Sequence, residues 1–116
     1  MDDAKRRAIA LNRLMTQKDD PELLLRMVAE QLPNFNSVNA ATAVSMLGKL
    51  SRSPSCPENI AADDGFRALM LLARDMCDDG GLDARHVANI THAVGKISAA
   101  GKLAADDVHV QVGPGG

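Results

Sequence analysis

Two lysines, Lys49 and Lys96, stand 47 residues apart, and each closes a similar run of residues. In FNSVNAATAVSMLGKL, from Phe35 to Leu50, Asn39 and Thr42 precede Lys49. In LDARHVANITHAVGKI, from Leu82 to Ile97, His86 and Asn89 precede Lys96. Arg52 follows the first run and Arg85 lies inside the second. Amide, hydroxyl and imidazole groups donate and accept hydrogen bonds, as reading the edge of an unpaired base requires. A cation at the end of the same stripe would hold phosphate. The plainer reading is a solvated helix face whose lysines sit near helix C-termini because the macrodipole favours cations there. Spacing alone leaves both readings open.

The two runs belong to a longer recurrence. Ala41 matches Ala88, Gly48 matches Gly95, and Ser51 matches Ser98. At an offset of 44, Leu25, Met27, Val28, Ala29 and Leu32 align with Leu69, Leu71, Leu72, Ala73 and Met76; a loop three residues longer in the second copy accounts for the change of offset. Recurrence at this period marks a helical-repeat array, in which each unit buries its apolar face only against a neighbour. The expected fold is all-α: tandem helix-pair repeats stacked as a short α-solenoid of about five helices. Three stripes are expected on the repeat helices. Ala40, Ala43, Leu47 and Leu50, with Val87, Ile90, Val94 and Ile97, should form core. Ala41 with Gly48, and Ala88 with Gly95, should each admit a closely packed neighbour, since a mid-helix glycine otherwise costs about 1 kcal/mol relative to alanine. Asn39, Thr42, Met46 and Lys49, with His86, Asn89, Ala93 and Lys96, should form the polar stripe.

Punctuation in the sequence sets the boundaries. A flanking helix is predicted from about Asp3 to Gln17, within residues 1–18. Asp19-Asp20-Pro21 supplies a cap followed by proline at the first helical position and opens repeat 1, residues 19–52. Its second helix should run from Ser37 to Arg52. Pro54 and Pro57 mark 53–62 as loop. Asp63-Asp64 opens repeat 2, residues 63–100, which Asp78-Asp79-Gly80-Gly81 divides into two helices. Asp106-Asp107 reads as the start of a third repeat within 101–116, a stretch too short and Gly-rich to continue it. With no polar terminal cap, the expected object is a piece of a longer array.

Composition narrows the function classes. The 116 residues carry net charge −2 and only two aromatics, Phe35 and Phe66. An acidic balance weighs against a nucleic-acid binder without saying where the charges lie. Cys56 and Cys77 match no metal-ligand spacing and suit reduced thiols. His86 and His92, six apart, point about 120° away from each other on a helix and do not share a metal ion unaided. His109 lies in the tail. No apolar run reaches membrane-spanning length, and the first residues lack the apolar segment of a signal peptide. Phosphate loops, nucleophile elbows and ordered Ser, His and Asp groups are missing, so neither an enzyme, a small-molecule substrate nor a cofactor is expected.

The stretch DPELLLRMVAEQLPNFNSVNAATAVSMLGKLSRS resembles the octotricopeptide-type helical repeats found with FAST-kinase-like and RAP-domain proteins. There a leucine-rich helix leads through an FN-x-VN turn, here Phe35-Asn36-Ser37-Val38-Asn39, into a helix ending L-x-K-L, here Leu47-Gly48-Lys49-Leu50. The second copy is looser, Leu82-Asp83-Ala84-Arg85-His86 and then Val94-Gly95-Lys96-Ile97. The resemblance spans roughly residues 9–100 and includes no RAP domain. It implies binding of single-stranded RNA and control of transcript stability, processing or translation in mitochondria or chloroplasts. Under it, the RNA-binding candidates are Asn39, Thr42, Lys49, Arg52, Arg85, His86, Asn89 and Lys96. The alternative is a protein–protein scaffold, since HEAT- and TPR-like arrays share the architecture.

Overall fold

Three of the helix starts are capped by an aspartate side chain. Asp20 accepts the Glu22 amide at 2.9 Å, ahead of Pro21. Asp63 accepts the Phe66 amide and Asp83 the His86 amide, each at 2.9 Å. These carboxylates satisfy amides that a helix leaves unpaired in its first turn. The computed structural model describes residues 3–101, and among them all regular structure is helical. The helices are α1 (Asp3–Thr16), α2 (Pro21–Gln31), α3 (Ser37–Leu50), α4 (Asp64–Asp78) and α5 (Ala84–Ala99), with 3-10 turns at Leu32–Asn34 and Ile60–Ala62. The third aspartate pair, Asp106-Asp107, and His109 lie outside the described residues.

Stops follow the same local chemistry. Gly80, at φ 76°, takes the left-handed turn after α4. The Gly81 amide then reaches back to the Met76 carbonyl at 2.7 Å and the Gly80 amide to Cys77 at 3.1 Å, a paired closure that needs a residue without Cβ at Gly80. α3 stops at Leu50, two residues before the predicted Arg52; there the Ser51 amide and hydroxyl both donate to the Gly48 carbonyl, at 3.4 and 2.7 Å, in a tightened closing turn. α2 tightens into 3-10 geometry at Leu32, ahead of Pro33, which has no amide hydrogen to continue it.

α3 lies between α1 and α5, and α2 packs beside α4 across its other side. Met15, Leu24, Val28, Val44, Leu47, Leu69 and Ile97 are fully or almost fully buried among them. The expected core stripe holds on α3, where Ala40, Ala43 and Leu47 are buried, and weakens on α5, where only Ile97 is. Val87, expected in the core, is 37% exposed. The loop after α3 is partly internal: Ile60 is fully buried and Cys56 nearly so, both in the main core.

The two matched glycines differ. A Cβ built on Gly48 would stand 2.8 Å from both the Cα and Cβ of Ala93, so α3 and α5 touch backbone to backbone there. A Cβ on Gly95 would meet nothing within 4 Å among the described residues. The expectation of close approach therefore holds at Gly48 and fails at Gly95, because no described element covers that side of α5.

Candidate nucleic-acid interface

Three of the predicted cations come together. Lys49 sits in the last turn of α3, Arg52 just past the Ser51 turn, and Lys96 in the last turn of α5. The Gly48–Ala93 contact brings these helix ends side by side, so that Gly48, Lys49, Arg52 and Lys96 line one open cleft of about 250 Å³. No carboxylate is in the lining. All three cations are exposed, and none is ion-paired among the described residues. The terminal carbonyls of α3 and α5 supply a partial negative charge that suits cations in this place. Three like charges around one cleft still repel one another, and an anion entering it relieves that repulsion.

The other candidates divide around this cleft. Asn89 is exposed and Thr42 half-buried, each seven residues before its lysine and therefore on nearly the same side of its helix. Arg85 is exposed at the start of α5, about 16 Å along the axis from Lys96 by the rise of a helix, and does not line the cleft. His86 is half-buried at the same end, with Nδ1 3.5 Å from the Asp83 carboxylate and without a hydrogen-bond partner. The His86 amide is the main reason that the Asp83 carboxyl is held below its ordinary value of 3.8.

Asn39 is corrected outright. It is wholly buried; its Nδ2 donates to the Ala8 carbonyl at 2.9 Å and to Asn12 Oδ1 at 2.8 Å, while its Oδ1 accepts the Asn36 amide at 3.0 Å. The Asn39 amide in turn donates to Asn36 Oδ1 at 2.9 Å, completing a reciprocal cap on α3. Every hydrogen-bonding atom of that side chain is in use within the fold, so Asn39 reads no base. The predicted polar stripe thus splits lengthwise: its Asn39 edge faces α1 and its Ala93 edge faces α3, leaving the Thr42–Lys49 and Asn89–Lys96 sides outward.

No family model, curated protein or solved structure matches the chain. The site is consequently read from its own chemistry. Among the described residues no group of three or more His, Cys, Asp or Glu side chains is arranged to hold a metal ion, and no helix is long and apolar enough to cross a membrane. What the cleft offers is unpaired positive charge, with hydrogen-bonding side chains further along the same helix faces. His92, exposed and one turn before Lys96, belongs to that outward face and was missed in the sequence. Its i, i+4 spacing to Lys96 was the available signal.

Proposed function

We propose that this chain is an RNA-binding segment built from tandem helix-pair repeats stacked as a short α-solenoid, with α1, α3 and α5 as one row and α2 and α4 as the other. The observation that carries the reading is the convergence of Lys49, Arg52 and Lys96 on one cleft free of acidic lining. A net charge of −2 argues against a nucleic-acid binder only if the cations are scattered, and here three are gathered. The cleft would hold a phosphate of the backbone, and Thr42, Asn89 and His92 would face the adjoining nucleotides. The organellar role in transcript stability, processing or translation rests on the octotricopeptide-type resemblance alone. Two repeats contact few nucleotides, so tight binding would need further repeats.

The test is titration of a labelled single-stranded RNA at two salt concentrations, with wild type and with Lys49→Glu/Lys96→Glu. Each phosphate contact on a single strand contributes about 0.7 to the slope of log affinity against log salt, so losing two lowers it by about 1.4. Weaker binding across unrelated sequences with a flatter slope supports the reading. Unchanged affinity and slope eliminate this cleft as the RNA surface.

A second reading, a protein scaffold, is favoured by a different observation. Between α1 and α2 lies an open groove of about 460 Å³ with Leu11, Leu14, Leu23 and Met27 among its lining and Arg7, Lys18, Arg26 and Glu30 around them. Leu14 and Leu23 are 47% and 44% exposed there. An apolar floor with a rim of three cations and one carboxylate suits an amphipathic segment of net acidic charge from another protein. The lysine variant leaves that groove untouched and separates the two readings.

A further inference from the structure

α3 has two packing edges. Its Asn39 edge lies against α1, and its Ala41–Gly48 edge seats α5, with Ala41 4% exposed and Gly48 in backbone contact with Ala93. α5 repeats both edges in sequence. Its His86–Ala93 edge faces α3, whereas its Ala88–Gly95 edge bears nothing among the described residues. The difference extends beyond the glycine. Val87 is 37% exposed where its counterpart Ala40 is fully buried, and Thr91 is exposed where its counterpart Val44 is fully buried. Ala84, Ala88 and Ala99 are exposed on the same side as Gly95, directly opposite Ala93 and Ile97 around the helix. A mid-helix glycine weakens a helix, and no described neighbour comes close enough to Gly95 to require one.

We infer that the Ala88–Gly95 face of α5 is a seat for one further helix of α5's own type. That helix carries alanine where α5 has Ala93 and an aliphatic residue four positions on, where α5 has Ile97. Its backbone reaches Gly95 as the Cα of Ala93 reaches Gly48, and the apolar side chains beside the contact cover Val87 and Ala88. The inference continues within the molecule a contact already made once in it, and it rests on the repeat-array reading rather than on RNA binding. A second copy docking through α1 is a poor occupant. The free side of α1 presents Arg6, Ile9 and Arg13, too long for a seat made of alanine and glycine.

A fluorescein-labelled peptide of residues 82–100, which carries the Ala93–Ile97 edge, is titrated with the whole chain and followed by anisotropy. Saturable binding is expected. It should weaken at least tenfold with Gly95→Leu in the protein and, separately, with Ala93→Leu in the peptide. Gly95→Leu adds its side chain where no described residue lies within 4 Å of the new Cβ, so unchanged helicity and melting show that the loss is not unfolding. No saturation up to about 1 mM overturns the proposal, that being the weak limit of a specific contact. Equal binding by Gly95→Leu also overturns it, because a peptide that merely replaced α5 would not need Gly95. A concentration-dependent dimer that forms without peptide and is lost in Gly95→Leu overturns it too, by assigning the seat to a second copy. Neither lysine of the cleft belongs to the seat, so a negative RNA result and a negative peptide result are independent.

Discussion

The same substitution at two matched glycines should have opposite signs. In Gly48→Ala, the new Cβ would stand 2.8 Å from the Cα and Cβ of Ala93 and 3.0 Å from its carbonyl oxygen. Carbon atoms prefer about 3.5–4.0 Å, and Cα is backbone, so α5 as a whole must retreat by roughly 1 Å. Overpacking of this kind costs about 1–3 kcal/mol, against about 1 kcal/mol gained from replacing a mid-helix glycine by alanine. With the obstruction made of backbone, the balance should fall near 1–2 kcal/mol of destabilisation, and Gly48→Leu should cost more. Gly95→Ala meets nothing within 4 Å among the described residues, so only the propensity gain remains, about 0.5–1 kcal/mol of stabilisation. Urea unfolding followed by helical circular dichroism measures both. The midpoints should move in opposite directions at constant slope, and the melting temperatures should separate by several degrees. Two shifts of the same sign and similar size would refute the reasoning, because they would mean that α3 and α5 do not meet at Gly48.

Asn39→Leu strands the Ala8 carbonyl, Asn12 Oδ1 and the Asn36 amide and should cost roughly 2–4 kcal/mol in the same urea assay; single-stranded RNA preference among the folded fraction should be unchanged. Asp83, held below its ordinary 3.8 mainly by the His86 amide, lends α5 a stabilisation that is complete above the unfolded value and lost as pH falls through the lower folded one. An acid titration should therefore show helix loss beginning below about pH 4 that is reduced in Asp83→Asn, whose cap does not titrate. Cys77, exposed near the end of α4, should react at once with a thiol reagent, whereas buried Cys56 should react only on unfolding; mass spectrometry after brief labelling distinguishes them.

Much of this fold was legible because its helix boundaries are written in side chains that act locally. Asp20, Asp63 and Asp83 cap from their own sequence neighbourhood, and Gly80 turns where only glycine does so freely. The rotation of each helix about its axis was less legible. The predicted polar stripe was wide enough to straddle the boundary between packed and open surface, and only the positions of α1 and α3 decided that Asn39 and Ala93 fall on the packed side. An asparagine two residues into a helix suits either a ligand or a cap, and the deciding partner, Asn12, is 27 residues away. Gly48 and Gly95 could not be told apart either, because a glycine records that a neighbour would fit and not that one is present. Ile60, in a loop of prolines and polar residues, gave no periodic signal of its burial.

The contact between Gly48 and Ala93 also sets a gauge. Lys49 directly follows Gly48, and Lys96 lies three residues, less than one turn, beyond Ala93, so the gap between the two ammonium groups is tied to how closely two helix axes can approach. Alanine in place of Gly48 would widen that gap without touching a charge. If one phosphate is gripped from both sides, affinity for it should decline in the Gly48→Ala protein with both lysines intact, and trimming Ala93 to glycine should not restore it, because the Cα and carbonyl of residue 93 still obstruct. The smallest side chains in the molecule would then act as the spacer of its cationic clamp.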